Sequence, residues 1–99
     1  MEMNLRYLKI ATDVATHLSL LGIPYELIPV FDGIKIEFEW CGADAITHSG
    51  AYGGTAGLLE TMGFPEDGDD VTGWLTVPQV LERVLHAWNQ LDEDEDEDD

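Results

Sequence analysis

Basic residues are scarce in this chain: Arg6, Lys9, Lys35 and Arg83 face 21 Asp and Glu, for a net charge of −17 over 99 residues. A surface this negative repels phosphates and anionic headgroups, which excludes direct nucleic-acid binding and electrostatic attachment to a membrane. Cysteine is almost missing. Cys41 stands alone, so neither an internal disulfide nor a cysteine-rich zinc site can form. No apolar run approaches the ~18–20 residues of a membrane span, and Met1 to Leu8 lack the layout of a signal peptide. A cytoplasmic location is expected. His17, His48 and His86 do not make a metal-ligand spacing. A chain of this length forms one modest core and leaves no room for a deep cofactor cavity, so no cofactor and no metal are expected.

What the chain does have is acid. Eight carboxylates form the terminal run Asp92 to Asp99, yet without them 13 acids still face 4 bases, a net charge of −9. Hydrophobic residues make up 44%, an ordinary globular proportion. The expected organisation is one compact domain over residues 1–91, followed by a disordered acidic tail over 92–99, where like charges repel one another and the negative end of a helix.

Tyr7, Ile10, Ala11, Val14, Leu18 and Leu21 recur at helical spacing, predicting a helix from Leu5 to Leu21 with Asn4 as its cap and Gly22 and Pro24 as its stop. Tyr25 to Phe31 and Ile34 to Trp40 flank Asp32-Gly33, which suits a type I′ hairpin turn. That turn would pair Leu27 with Phe38 and Tyr25 with Trp40. Eight apolar side chains would then share one face, and Pro29 would mark an edge strand. Ala43 to His48 is a candidate third strand in a small, glycine-rich stretch. A short helix is expected over Thr55 to Met62, an acidic loop over Glu66 to Gly73, and a last helix opened by Thr76, Pro78 and Gln79. The fold expected is α+β: a two- or three-stranded antiparallel sheet with an N-terminal and a C-terminal helix on one face, plus the short middle helix.

The hairpin's outer face carries Glu26, Glu37 and Glu39, with Glu26 expected opposite Glu39. Like charges opposed across a ladder destabilise it, so this face reads either as solvated charge that prevents edge pairing or as a surface for a partner. Glu66, Asp67, Asp69 and Asp70 make a second acidic patch whose spacing does not fit a calcium loop. Cys41, Asp44, His48 and Ser49 match no nucleophile motif, so no catalytic residue is assigned. Tyr52, set among glycines, is either a contact residue or a core aromatic.

The segment HSGAYGGTAGLLETMG, followed by DDVTGWLT and a helix, resembles short uncharacterised proteins of phages and prophages, over about Thr47 to Val80. The acidity and small size are similar to phage inhibitors that imitate DNA charge, including some anti-CRISPR proteins. These resemblances imply no catalytic residue. Together with the charge balance they point to a partner with a basic, nucleic-acid-binding surface. The residues expected to meet it are those of the hairpin face, Glu26, Glu37 and Glu39, and of the acidic loop, Glu66, Asp67, Asp69 and Asp70. The alternative is a protein-binding or assembly module that uses the glycine-rich loop around Tyr52 together with Trp74, with acidity serving solubility.

Overall fold

A computed structural model describes residues 3–51 and 53–97, apart from the side chains from position 92 onward. Helix α1 is Leu5–Leu21. Asn4 Oδ1 accepts from the Arg6 backbone N–H at 2.9 Å, and Gly22 closes the helix in the left-handed region at φ 73, where glycine pays no steric penalty. Its buried stripe is Tyr7, Ala11, Val14, Ala15 and Leu18. Helix α2, Val77–Glu97, opens on a reciprocal cap. The Thr76 N–H donates to Gln79 Oε1 at 2.9 Å, and the Gln79 N–H donates to Thr76 Oγ1 at 3.3 Å. Of the expected disordered tail, the backbone over 92–97 continues α2, and the side chains of 92–99 and the last two residues lie outside those described.

Between the helices lie five strands: β1 (Glu26–Val30), β2 (Gly33–Phe38), β3 (Ala43–Thr47), β4 (Leu59–Met62) and β5 (Val71–Leu75). They form one antiparallel sheet in sequence order. This corrects the expected two- or three-stranded sheet. The short middle helix is also absent: a single 3₁₀ turn at Gly54–Ala56 leads into β4. Leu59 and Thr61 are fully buried between exposed or half-buried neighbours, a period of two that only a strand provides. Pairing with β3 and β5 overrides the helix propensity of Leu-Leu-Glu-Thr-Met. The acidic loop likewise yields its last three residues, Val71 to Gly73, to β5.

The hairpin forms with a different register. Leu27 pairs with Ile36 and Val30 with Gly33, so the two turn residues are Phe31 and Asp32. Phe31 carries the positive φ, at 54. Gly33 serves another purpose: a Cβ there would land on the Thr47 carbonyl oxygen of β3. The shift in pairing is two residues, an even number, so each side chain keeps its face.

Both helices cover one face, α1 over β2 and β3 and α2 over β4, and they touch each other. The core between the layers contains Leu18, Ile36, Phe38, Leu59, Phe64, Val80 and Val84. Trp40 and Trp88 meet edge to face at 4.9 Å at one end of it. Neither helix covers β1 well, which leaves Leu27 and Phe31 exposed. No helix among the described residues is long and apolar enough to cross a membrane.

Candidate functional site

Alternation sends Ile34, Ile36 and Phe38 of β2 and Ala43, Ala45 and Thr47 of β3 toward the helices. Lys35, Glu37, Asp44 and Ile46 therefore occupy the opposite, uncovered face. There Glu26 pairs directly with Glu37, and Glu37 with Asp44. Three carboxylates thus lie in one row across β1, β2 and β3. Glu39 follows in the turn after β2, and carboxylate oxygens of Glu26, Glu37 and Glu39 all lie within 4.8 Å of one another. The structure brings the three glutamates together, with Glu37 rather than Glu39 opposite Glu26.

Lys35 Nζ approaches Glu37 Oε2 at 3.2 Å. The side chains of Glu26 and Glu39 have no ion pair or hydrogen bond among the described residues. Asp44, set beside Glu37 in the row, has one carboxylate oxygen out of solvent. Burial pushes its carboxyl above the usual range, Lys35 opposes the shift, and Glu37, Glu60 and Asp67 add to it. Asp44 Oδ1 is enclosed and accepts no hydrogen bond among the described residues. Sequence reasoning grouped Asp44 with Cys41, His48 and Ser49 and missed its place in the row. The signal was the small-polar-small alternation Ala43-Asp44-Ala45, which sets Asp44 on the outer face.

The second expected patch separates. Asp69 and Asp70 are exposed, and Glu66 Oε2 lies 3.4 Å from His86 Nδ1. The Asp67 side chain is fully enclosed. Its Oδ1 accepts from Thr61 Oγ1 at 2.9 Å and from Arg83 Nη1 at 2.8 Å, and its Oδ2 accepts from the Phe64 N–H at 3.1 Å. Asp67 therefore ties the β4–β5 connection to α2 and presents nothing to a partner.

The antiparallel order gathers acids at one end of the sheet. Glu26, Glu37 and Asp44 lie at the strand ends there, joined by Glu39 and by the β4–β5 connection with Glu66, Asp69 and Asp70. The other end is glycine-rich and aromatic. Phe31 meets the His48 ring at a tilt, with 5.1 Å between ring centres. The Ser49 N–H donates to Asp32 Oδ1 at 3.0 Å and holds that carboxyl below its usual range. Trp74 is 63% exposed and sits at φ 61, a region bulky residues seldom occupy. A Cβ on Gly53 would meet its backbone at 2.9 Å, so the glycine-rich loop lies against Trp74. Tyr52 lies outside the described residues.

No family model, curated protein or solved structure matches the chain. The phage resemblance therefore rests on its quoted residues alone. What the geometry offers chemically is a cation-attracting face. The carboxylates can accept hydrogen bonds from guanidinium or ammonium groups, and the half-buried Ile28, Val30 and Ile46 on the same face supply apolar contact.

Proposed function

We propose that this chain is an accessory protein of the phage type, acting in the cytoplasm, that occupies a basic, nucleic-acid-binding surface of another protein and keeps nucleic acid from it. Carboxylates stand in for phosphates opposite Lys and Arg, and no chemistry is involved. The observation that supports this reading is the row Glu26, Glu37, Asp44 on the uncovered sheet face. Like charges side by side across a ladder cost stability, and the fold nonetheless pairs Glu26 with Glu37 and Glu37 with Asp44. A surface needed only for solubility would space its charges apart. With one carboxylate per strand, about 4.8 Å apart, the row approaches the charge density of a nucleic-acid strand, one phosphate per ~3.4 Å of axis.

The test is capture from a cell lysate at low salt by the immobilised full chain, followed by elution with duplex DNA. A partner displaced by DNA, and lost by the variant Glu26→Gln/Glu37→Gln/Asp44→Asn, is the expected result. Capture of the same proteins by parent and variant at equal salt would refute it.

A second reading draws on the opposite end, where an exposed Trp74 is held at φ 61 against the glycine-rich loop. Backbone strain at an exposed aromatic is a mark of a contact residue. Under that reading Trp74→Ala abolishes capture and the acidic variant retains it.

A further inference from the structure

Beside the acidic row is a groove of about 510 Å³ lined by Pro24, Tyr25, Glu26, Glu37, Glu39 and Trp40. We propose that this groove seats a single arginine side chain of the partner protein, an anchor that goes beyond general attraction between surfaces. The proposal rests on the acidic-face reading above and adds to it the chemistry of one contact.

Charge complementarity is the first argument. The groove holds three carboxylates, and among the described residues only Glu37 has a cation beside it, Lys35 at 3.2 Å. Glu26 and Glu39 add two negative charges to a groove that Tyr25 and Trp40 also line. The carboxylate oxygens lie within 4.8 Å of one another. A donor at the centre of such a triangle sits at most about 2.8 Å from each corner, the length of a charge-assisted N–H···O bond.

The walls decide which cation fits. Calcium takes 6–8 oxygen ligands, and this groove has little oxygen to add. The Tyr25 hydroxyl is hydrogen-bonded to Ser19 Oγ at 2.8 Å, and the Pro24 carbonyl already accepts from Trp40 Nε1 at 2.9 Å. The remaining lining is aromatic ring and proline. A guanidinium plane stacks on such rings, sheds water more readily than an ammonium, and forks its N–H groups toward several carboxylates at once. Those two hydrogen bonds also brace the walls: Trp40 is fixed to Pro24 and Tyr25 to the end of α1, so the groove is formed before a ligand arrives.

The experiment is an NMR titration of the full chain at low salt with three probes: a capped pentapeptide with arginine between glycines, its lysine counterpart, and calcium chloride. The arginine peptide is expected to shift the Trp40 indole N–H and the amides of Glu26 and Glu39 at a concentration at least fivefold lower than the lysine peptide. Glu26→Gln/Glu39→Gln should remove that preference. Both positions are exposed and without partners among the described residues, so the variant keeps its fold, which its dispersed spectrum would verify. Equal response to both peptides would overturn the arginine seat and leave the acidic-face reading standing. Shifts confined to Asp44 and Ile46 would do the same. Calcium moving the groove amides while the arginine peptide moves none would replace the seat with a metal site. No response to either peptide would overturn the seat and the acidic-face reading together.

Discussion

Replacing Asp67 should destabilise this protein more than replacing any exposed acid. Its carboxylate is fully enclosed and accepts three hydrogen bonds, from Thr61, Arg83 and the Phe64 backbone. Asp67→Ala orphans the Phe64 N–H and the Thr61 hydroxyl and leaves the mostly buried Arg83 guanidinium unpaired, a loss of about 3–5 kcal/mol. For a domain of this size that corresponds to a fall in Tm of roughly 12 °C or more. Asp67→Asn is the sharper perturbation because it keeps the shape. One carboxylate oxygen becomes an NH₂ group, which must then face either the Phe64 N–H or the Thr61 and Arg83 donors. Donor meets donor in both orientations, so Asn should cost nearly as much as Ala. Arg83→Met should cost less, about 2–3 kcal/mol, because Thr61 and Phe64 still hold the carboxylate. The double variant Asp67→Ala/Arg83→Met should fall short of the sum of the singles by ~1 kcal/mol or more. Urea and thermal unfolding followed by circular dichroism give all four values. An Asp67→Asn protein that melts within about 3 °C of the parent would refute the network argument, since that is less than 1 kcal/mol.

Two further outcomes are expected. Gly33→Ala should lower stability by about 2–3 kcal/mol, because its Cβ overlaps the Thr47 carbonyl and forces β2 from β3; unchanged urea unfolding would show that the strands separate freely there. Asp44→Asn should raise Tm at pH 7, since the raised carboxyl pKa means that the folded state resists the charged form. By the same linkage the parent gains stability as pH falls from neutral through the raised Asp44 pKa toward the usual carboxylate value, and the Asn variant lacks that gain. Parallel pH profiles of the two proteins would refute this.

Most of the helical layer was legible in the sequence. Leu5–Leu21 is bounded by local signals, the Asn4 cap and Gly22, and the second helix opens on the Thr76–Gln79 box. Such signals act within a few residues and need no tertiary context. The sheet depended on partners distant in the chain. Leu59 to Met62 has a helical composition and becomes a strand because β3 and β5 flank it. Gly33 was read as a turn residue, but its lack of a side chain serves contact with Thr47 across the next ladder. The acidic face was legible in outline, since alternation sets Glu26 and Glu37 outward in either register. Asp44 and Asp67 were misread for opposite reasons. The first joins the row through β3 pairing, and the second lies in an acidic stretch but is drawn inward by Arg83, one of only four bases.

The sequential strand order has a consequence for how the chain reaches its native state. Each strand pairs with the one made just before or after it, and the longest connection to close is the stretch between Thr47 and Leu59. Loop-closure entropy rises only slowly over such lengths, and local pairings of this kind accompany rapid folding. The sheet can therefore zip from β1 to β5 in order of synthesis. The exception is the contact between α1 and α2, which joins the two ends of the chain. Until α2 is complete, Leu59 and Phe64 have no lid. An incomplete chain thus displays apolar surface that the finished one conceals, and the window of exposure closes only when Val80, Val84 and Trp88 have all been added.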